Sequence, residues 1–145
     1  MAPLLTIKNL SVAFLNDQDA AGETLVLNDI HLSINHGSTH ALVGESGSGK
    51  SVTALTILRL LEESSTVRTS GRIIFDGRDI LSLNTKELLG IRGNRIAMIF
   101  QEPMTSLNPV YTIGTQLQES LILHRGMNRG QAEKLAVKLL GRTGI

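Results

Sequence analysis

The chain has 145 residues, 41% hydrophobic and 19% charged, a composition typical of one folded domain rather than of a disordered or fibrous chain. A formal net charge of +1, with three Phe and one Tyr, argues against a nucleic-acid surface, which needs strong basic charge or stacking platforms. The absence of cysteine excludes disulfides, cysteine-ligated zinc and iron–sulfur clusters, and no apolar run approaches the about 20 residues of a membrane span.

The N-terminal part of the chain is predicted to contain three strands. Residues 4–14 and 25–35 have the hydrophobic patterns of strands, and the polar, turn-rich segment 16–23 between them is predicted to be a loop. In the second strand, the even-numbered positions form the mostly apolar face. Residues 39–43 end in an unbroken apolar run, which is typical of a strand buried on both faces of a parallel sheet.

A helix and a hairpin are predicted next. A glycine-rich loop follows the third strand, and apolar residues at every third position predict a largely covered helix over about 50–61. Residues 71–80 then predict two short strands joined at Asp76-Gly77, a dipeptide that is typical of two-residue hairpin turns.

The second half of the chain is predicted to be mainly helical. A short helix is predicted over 85–91, with Asn84 or Thr85 as its N-cap. A second buried strand is predicted over 95–100, and Pro103 and Pro109 bracket the loop that follows it. Two amphipathic helices follow, one over about 112–123 and one from a capping box at Asn128 to a C-terminal cap at Gly141. Early strands, then a strand–loop–helix unit, then helices predict an α/β protein with a small helical region.

One segment carries a specific chemical signal. Residues 44–51 match the pattern G-x-x-x-x-G-K-[ST] and lie between a predicted strand and a predicted helix. They are Gly44, Glu45, Ser46, Gly47, Ser48, Gly49, Lys50 and Ser51. Average residue frequencies give fewer than ~0.01 chance matches in a chain of this size. The match and its context favour a phosphate-binding loop over the alternative, a flexible Gly/Ser turn.

The spacing of this pattern follows from the chemistry of phosphate binding. The three glycines allow the backbone to curl, so that successive N–H groups point toward an anion at the positive end of the following helix. Lys50 then brings a positive charge to the β and γ phosphates, and the Ser51 hydroxyl is placed to bind Mg²⁺. The sequence therefore predicts that a nucleoside triphosphate binds here with magnesium.

Other motifs separate the classes of nucleotide-binding protein. A GTPase would carry N-K-x-D, which is absent, and D-x-x-G after the phosphate loop, whereas the match at 19–22 precedes it. An ATPase of this class needs a second acid after an apolar strand to hold the metal. Asp76 imitates that position, but its run has only three apolar residues, and the hairpin turn explains it better. The other buried strand leads into Gln101 instead of an aspartate.

Three stretches, 44–51, 71–80 and 99–109, together resemble the ATPase subunits of ABC transporters. The form F-Q-E-P-M-x-S-L-N-P in the last stretch is similar to oligopeptide and dipeptide importers, and among them to tandem ATPases of the peptide/microcin C importer type. The resemblance covers essentially the whole chain. It implies an α/β fold with an incomplete P-loop NTPase core and an antiparallel β-subdomain over 1–104. Residues 105–145 would begin the helical subdomain.

The resemblance also implies roles for residues outside the phosphate loop. Gln101 would be the Q-loop glutamine, which contacts Mg²⁺ or the attacking water and acts with Lys50 in catalysis; by itself it also fits a strand-capping residue. Phe14 would stack on adenine, whereas periodicity alone fits an ordinary core or strand-end residue. Residues 104–109 fall where family members approach their membrane-embedded partner, and a proline-stiffened surface loop is compatible with that role.

The function implied by the resemblance is ATP binding in a transporter that imports peptides, at the cytoplasmic face of the inner membrane. The implied cofactors are ATP and Mg²⁺. The implied partners are transmembrane permease subunits, a second ATPase module and, indirectly, a periplasmic peptide-binding protein, with no nucleic acid. Two alternatives stay open: an ATPase of the same superfamily that is not coupled to transport, and an interaction fragment that binds no nucleotide.

Several elements that the family places after the Q-loop are absent from these 145 residues. They are an L-S-G-G-Q-like signature, a Walker B aspartate with its catalytic glutamate, and a switch histidine. We therefore expect the chain to be the N-terminal piece of a longer subunit that is an ATP hydrolase. Alone, these residues are expected to bind nucleotide weakly and not to hydrolyse it at a useful rate.

Overall fold

The computed structural model describes residues 2–15, 22–62, 66–101 and 107–145. The chain divides into two compact units, Met1–Leu88 and Leu89–Ile145. The subdomain boundary predicted at residue 104 stays a prediction. Most of the loop predicted at 16–23, and the first part of the segment 104–109, lie outside the described residues.

The first unit is built on a four-stranded antiparallel sheet in the order β2-β1-β3-β4. Its strands are β1, Leu5–Leu15; β2, Glu23–Ile34; β3, Val67–Phe75; and β4, Arg78–Asp79. The two predicted N-terminal strands and the predicted hairpin are therefore confirmed. The turn residues Asp76 and Gly77 have φ values of 49° and 78°. Left-handed φ at both positions is the type I′ geometry that joins antiparallel strands in two residues.

The apolar side chains of β1 form the centre of the core, because this strand lies between β2 and β3. Ile7, Leu10 and Val12 are fully buried, as is Ile73 of β3. Burying each of these side chains contributes about 1.5–3 kcal/mol relative to leaving it exposed. A single turn of 3-10 helix, Ile80–Ser82, follows β4 and adds the buried Ile80 to the core.

A bulge interrupts the pairing in the middle of β1. The registers of β1 with both of its neighbours shift around Asn9. Asn9 has φ 50° and Asp29 of β2 has φ 53°, so both residues are left-handed. Asn9 Nδ2 donates to Asp29 Oδ1 at 2.9 Å, and His31 Nε2 lies 3.1 Å from the same oxygen. These two hydrogen bonds, first that of Asn9 and then that of His31, hold the pKa of Asp29 below its ordinary value.

A second irregularity changes which side chains of β2 face the core. The predicted alternation is confirmed from Ile30 to Ile34, where the even-numbered residues are partly buried and the odd-numbered ones exposed, but nearer the start of the strand the odd-numbered Leu27 is the buried residue. The reason is the register shift between Leu10 and Val12, where β2 has one residue more than β1 and Asp29 is left-handed. One extra residue moves the residues beyond it to the other face.

All four predicted helices are present in the described residues. They are α1, Lys50–Ile57; α2, Thr85–Ile91; α3, Ile113–Arg125; and α4, Arg129–Arg142. The Asn84 and Glu87 side chains each accept the backbone N–H of the other, which caps α2 as predicted. The predicted capping box of Asn128 and Gln131 is confirmed at the start of α4. In the second unit α3 and α4 pack against each other.

Two predicted helix ends were wrong. α1 stops one turn early because Arg59 adopts φ 53° and the Leu60 N–H donates to the Leu55 carbonyl oxygen at 3.0 Å, the hydrogen bond of a Schellman motif. α4 instead continues through the predicted cap Gly141, and the left-handed residue that follows it is Gly144, with φ 83°.

The two predicted buried strands, 39–43 and 95–100, are not strands in the structure. Residues 39–43 are irregular and exposed, and Val43 is 87% accessible. One bridge at Ile96 is followed by irregular residues, of which Ile99 is 98% accessible. Their apolar sequences suit the interior of a parallel sheet, but within the described residues no strand pairs with either segment. A strand without ladder partners gains neither hydrogen bonds nor burial.

We predict that Gly71→Ala destabilises the fold strongly, whereas Gly77→Ala costs little. Both glycines have positive φ, so alanine is strained at either position. A Cβ on Gly71 would also lie 2.4 Å from the Asn9 carbonyl oxygen, whereas one on Gly77 would meet nothing within 4 Å. In urea denaturation, the free energy of unfolding should fall by more than about 3 kcal/mol for Gly71→Ala and by about 1 kcal/mol for Gly77→Ala. Equal losses would contradict the close approach to Asn9.

Candidate functional site

Residues 44–51 form a tight loop that leads directly into α1. Gly49 is the N-cap of α1 with φ 87°, and Gly47 has φ 81°. The Ser48 N–H donates to the Glu45 carbonyl oxygen at 3.2 Å, which closes a turn inside the loop. Two left-handed glycines so close together at a helix N-terminus are typical of loops whose successive N–H groups form an anion-binding nest.

The Lys50 ammonium folds back over this loop. Its Nζ donates to the carbonyl oxygens of Gly44 at 2.8 Å and Glu45 at 2.6 Å, and lies 3.1 Å from Ser48 Oγ. All three acceptors are neutral. Hydrogen bonds from an ammonium to phosphate oxygens are roughly twice as strong as bonds between neutral groups, so an anion can replace these acceptors.

Two of the loop glycines lie so close to neighbouring side chains that a Cβ would force those side chains to shift. A Cβ on Gly44 would lie 2.7 Å from Ser48 Oγ, and one on Gly49 would lie 2.5 Å from Leu27 Cδ2. Gly49 is buried, and its carbonyl oxygen accepts hydrogen bonds from the Thr53 N–H at 2.8 Å and from Thr53 Oγ1 at 2.9 Å. Thr53 was not singled out in the sequence. A threonine four residues after the capping glycine was the available signal, because that spacing lets the hydroxyl reach the carbonyl one turn back.

The remaining loop residues are open to a ligand. Glu45, Ser46, Ser48 and Ser51 are exposed. The Ser51 hydroxyl lies in the first turn of α1, one residue after Lys50, and is a hard oxygen ligand of the kind that Mg²⁺ takes together with substrate phosphates. The donor groups of the loop therefore fit a triphosphate with Mg²⁺. Within the described part of the chain, no group of three or more His, Cys, Asp or Glu residues could hold a metal ion.

Phe14 lies near the end of β1, between Thr24 of β2 and Val67 of β3, and is half-buried. It is two residues beyond Val12, so the two side chains share a face of the sheet and lie about 7 Å apart along the strand. Val12 in turn pairs with Leu27, and β2 contacts α1. Phe14 is thus on the sheet face that leads toward the loop, and its role stays a prediction.

Gln101 lies in the second unit, in an exposed bend after the irregular residues 97–100. Its metal and catalytic roles therefore stay predictions. Asp76, the acid that imitates a metal ligand in the sequence, is confirmed as the first residue of a hairpin turn. In the described ranges 2–15, 22–62, 66–101 and 107–145, no helix is long and apolar enough to cross a membrane.

Comparison with known proteins places this loop in a wider context. A protein-family model described as ABC transporter matches residues 27–144. The ABC transporter ATP-binding protein YejF of Escherichia coli (strain K12) is 54% identical over 98% of this chain, which spans 26% of that relative. A putative peptide import ATP-binding protein of Brucella melitensis biotype 1 is 49% identical over 99% of this chain, and the match covers 43% of that relative. The chain therefore spans less than half the length of these curated relatives.

Solved structures give the same picture. A dimeric structure of the ATP-binding cassette MJ0796, in a post-hydrolysis state bound to ADP and Pi, is similar with a TM-score of 0.77 and 26% sequence identity. The similarity covers 94% of this chain and 56% of that one.

We predict that the hydrogen bonds of Lys50 keep the loop ordered without a ligand. Lys50→Met retains most of the side-chain length but removes the ammonium from its three acceptors. Backbone order parameters from ¹⁵N relaxation should fall from about 0.85 toward about 0.6 over residues 44–48 and stay unchanged in β1. Lys86→Met, at an exposed lysine of α2, is the control. An equally rigid loop in Lys50→Met would show that the ammonium does not organise it.

Proposed function

Because this chain belongs to the ABC transporter ATP-binding family, we propose that residues 44–51 bind the phosphates of ATP together with Mg²⁺. Full-length members of the family are ATPases. Membership also confirms the predicted fold class, an α/β P-loop NTPase core that is incomplete in this chain and carries an antiparallel β-subdomain.

One observation carries the proposal: the Lys50 ammonium is held over the nest by two carbonyl oxygens. On binding of a triphosphate, the loop N–H groups would donate to its oxygens, and the Lys50 ammonium would donate to the β and γ phosphates in place of the carbonyl oxygens. The Ser51 hydroxyl would be a ligand of Mg²⁺, which would supply positive charge against the phosphate oxygens. Binding would therefore replace hydrogen bonds within the loop by stronger ones to the ligand.

Phe14 is proposed to stack on the adenine ring. Its position on the sheet face that leads toward the loop supports this role. A half-buried ring still offers area for stacking, which is worth about 1–3 kcal/mol per base.

Peptide import is proposed as the process that this ATP-binding unit powers. The relatives support it by their names, since one from Brucella melitensis is a putative peptide import protein and one from Agrobacterium fabrum is a peptidoglycan transport protein. The unit would act at the cytoplasmic face of the inner membrane with permease subunits and, indirectly, a periplasmic peptide-binding protein. A second ATPase module would complete the site, as the dimeric cassette structure suggests.

The segment before α3 is proposed to contact the permease. Val110 and Tyr111 of this segment and Ile113, the first residue of α3, are exposed, and Val110 is 82% accessible. Gln116 fixes this segment to the helix, because its side chain accepts from the Asn108 N–H and donates to the carbonyl oxygens of Asn108 and Tyr111, each at 2.9 Å. A rigid apolar surface of this kind suits a protein partner.

We predict that Mg·ATP binds this chain saturably and that Lys50→Ala weakens binding at least about tenfold, because the ammonium contact to the phosphates is lost. Isothermal titration calorimetry measures both affinities. Lys86→Ala, which removes an exposed charge of α2, should bind as the wild type does.

The wild-type chain and the Lys50→Ala variant also serve to test ATP hydrolysis. These 145 residues are proposed not to hydrolyse ATP above background, because they contain no Walker B aspartate, catalytic glutamate or switch histidine. Phosphate release that Lys50→Ala abolishes would contradict this. Absence of Mg·ATP binding by the folded wild-type chain would favour an interaction fragment instead.

We predict that Phe14→Ala weakens binding of Mg·ATP about tenfold and leaves binding of magnesium tripolyphosphate unchanged, since the latter has no base. Phe14→Tyr keeps the aromatic face and should bind as the wild type does. Competition titrations against a fluorescent ATP analogue give the constants. If Phe14→Ala weakens both ligands equally, the residue supports the fold instead of the base.

A further inference from the structure

Leu27 of β2 packs directly against the last glycine of the phosphate loop. An ideal Cβ on Gly49 would lie 2.5 Å from Leu27 Cδ2, so this methyl group occupies the space beside the glycine. The backbone of β2 is close as well, since the Val26 carbonyl oxygen would lie 3.4 Å from the same point. Leu27 is only 2% accessible, so the contact is internal.

Gly49 is the residue at which the loop becomes a helix. Its φ of 87° sets the direction in which the N–H groups of the loop and of the first helical turn point. On its helical side, the carbonyl oxygen is held by the two hydrogen bonds from Thr53. Where a side chain would stand on Gly49, its neighbours are the Leu27 methyl group and, farther away, the Val26 carbonyl oxygen.

The sheet in turn fixes Leu27. It pairs with Val12 of β1, which is fully buried and lies in the strand with neighbours on both edges. Because Leu27 is buried and paired with β1, its methyl group limits where Gly49 can move.

We propose that Leu27 is a positioning residue for phosphate binding, which holds Gly49 and thereby the loop N–H groups in the geometry of the nest. The proposal rests on the proposed function of residues 44–51. Truncating Leu27 leaves space beside Gly49 into which the loop can relax, and misplaced donors bind phosphate less well.

The test compares Leu27→Ala with Leu5→Ala in this chain. Both changes truncate a buried leucine of the same sheet, but Leu5 pairs with Ile34 and Phe75 at the opposite end of β1 from Val12. Leu27→Met keeps the volume and flexible reach of the side chain and tests for rescue. The probe is magnesium tripolyphosphate, titrated by calorimetry at a temperature at which circular dichroism shows each variant folded. Leu27→Val serves in place of Leu27→Ala if the latter does not fold.

We expect Leu27→Ala to bind tripolyphosphate about tenfold more weakly than the wild type, and Leu27→Val to be weakened in the same direction. Leu5→Ala and Leu27→Met should bind within about twofold of the wild type, even where their melting temperatures fall. A purely structural role would lower the melting temperatures of both alanine variants and leave their affinities alike.

The outcomes separate this proposal from the one on which it rests. If the wild type binds and Leu27→Ala, or Leu27→Val in its place, binds as well as Leu5→Ala does, the positioning role is wrong and the phosphate site stands. If Leu27→Met loses as much affinity as Leu27→Ala, contact with Gly49 is not what matters, and the role is equally overturned. If the folded wild type binds neither tripolyphosphate nor Mg·ATP, both proposals fail.

Discussion

The first unit depends on β1 being hydrogen-bonded along both edges while its apolar side chains are buried. β2 and β3 take their positions from it, and the short β4 follows from β3 through the Asp76-Gly77 turn. The glycine-rich loop 44–51 is linked to the same strand through Val12, Leu27 and Gly49 in succession. A local sequence of eight residues therefore packs, through β2, on a strand residue more than 30 positions earlier in the chain.

The loop combines two kinds of rigidity. Its backbone turns at two left-handed glycines, Gly47 and Gly49. The missing Cβ matters at Gly44, which lies close to Ser48, and at Gly49, which lies close to Leu27. Its positive charge, the Lys50 ammonium, is held by hydrogen bonds to two carbonyl oxygens, and phosphate oxygens can take the place of these acceptors. Fixed donors and an exchangeable cation are together what an anion site requires, because preorganisation lowers the cost of ordering upon binding.

Local signals in the sequence predicted the features that depend on neighbouring residues. Asn128 with Gln131, Asp76 with Gly77, and the loop motif before α1 are examples, since caps, turns and nests form within a few residues. The predictions failed where long-range pairing decides. Segments 39–43 and 95–100 have the composition of buried parallel strands, but they need ladder partners that the described residues do not provide. The extra residue of β2 near the left-handed Asp29 placed Leu27 in the core, and periodicity alone could not place an irregularity between two strands.

The irregularity at Asp29 affects the outer edge of the sheet. β2 lies at one end of the order β2-β1-β3-β4. A regular 12-residue strand at that end would be a template to which another chain could add by backbone pairing. The left-handed Asp29 interrupts the regular pairing of β2 near its middle, and its exposed side chain carries a carboxylate at neutral pH. An incoming strand would therefore meet an irregular edge with a carboxylate near its middle. Irregularity and charge are two of the features by which natural sheets disfavour edge-to-edge pairing.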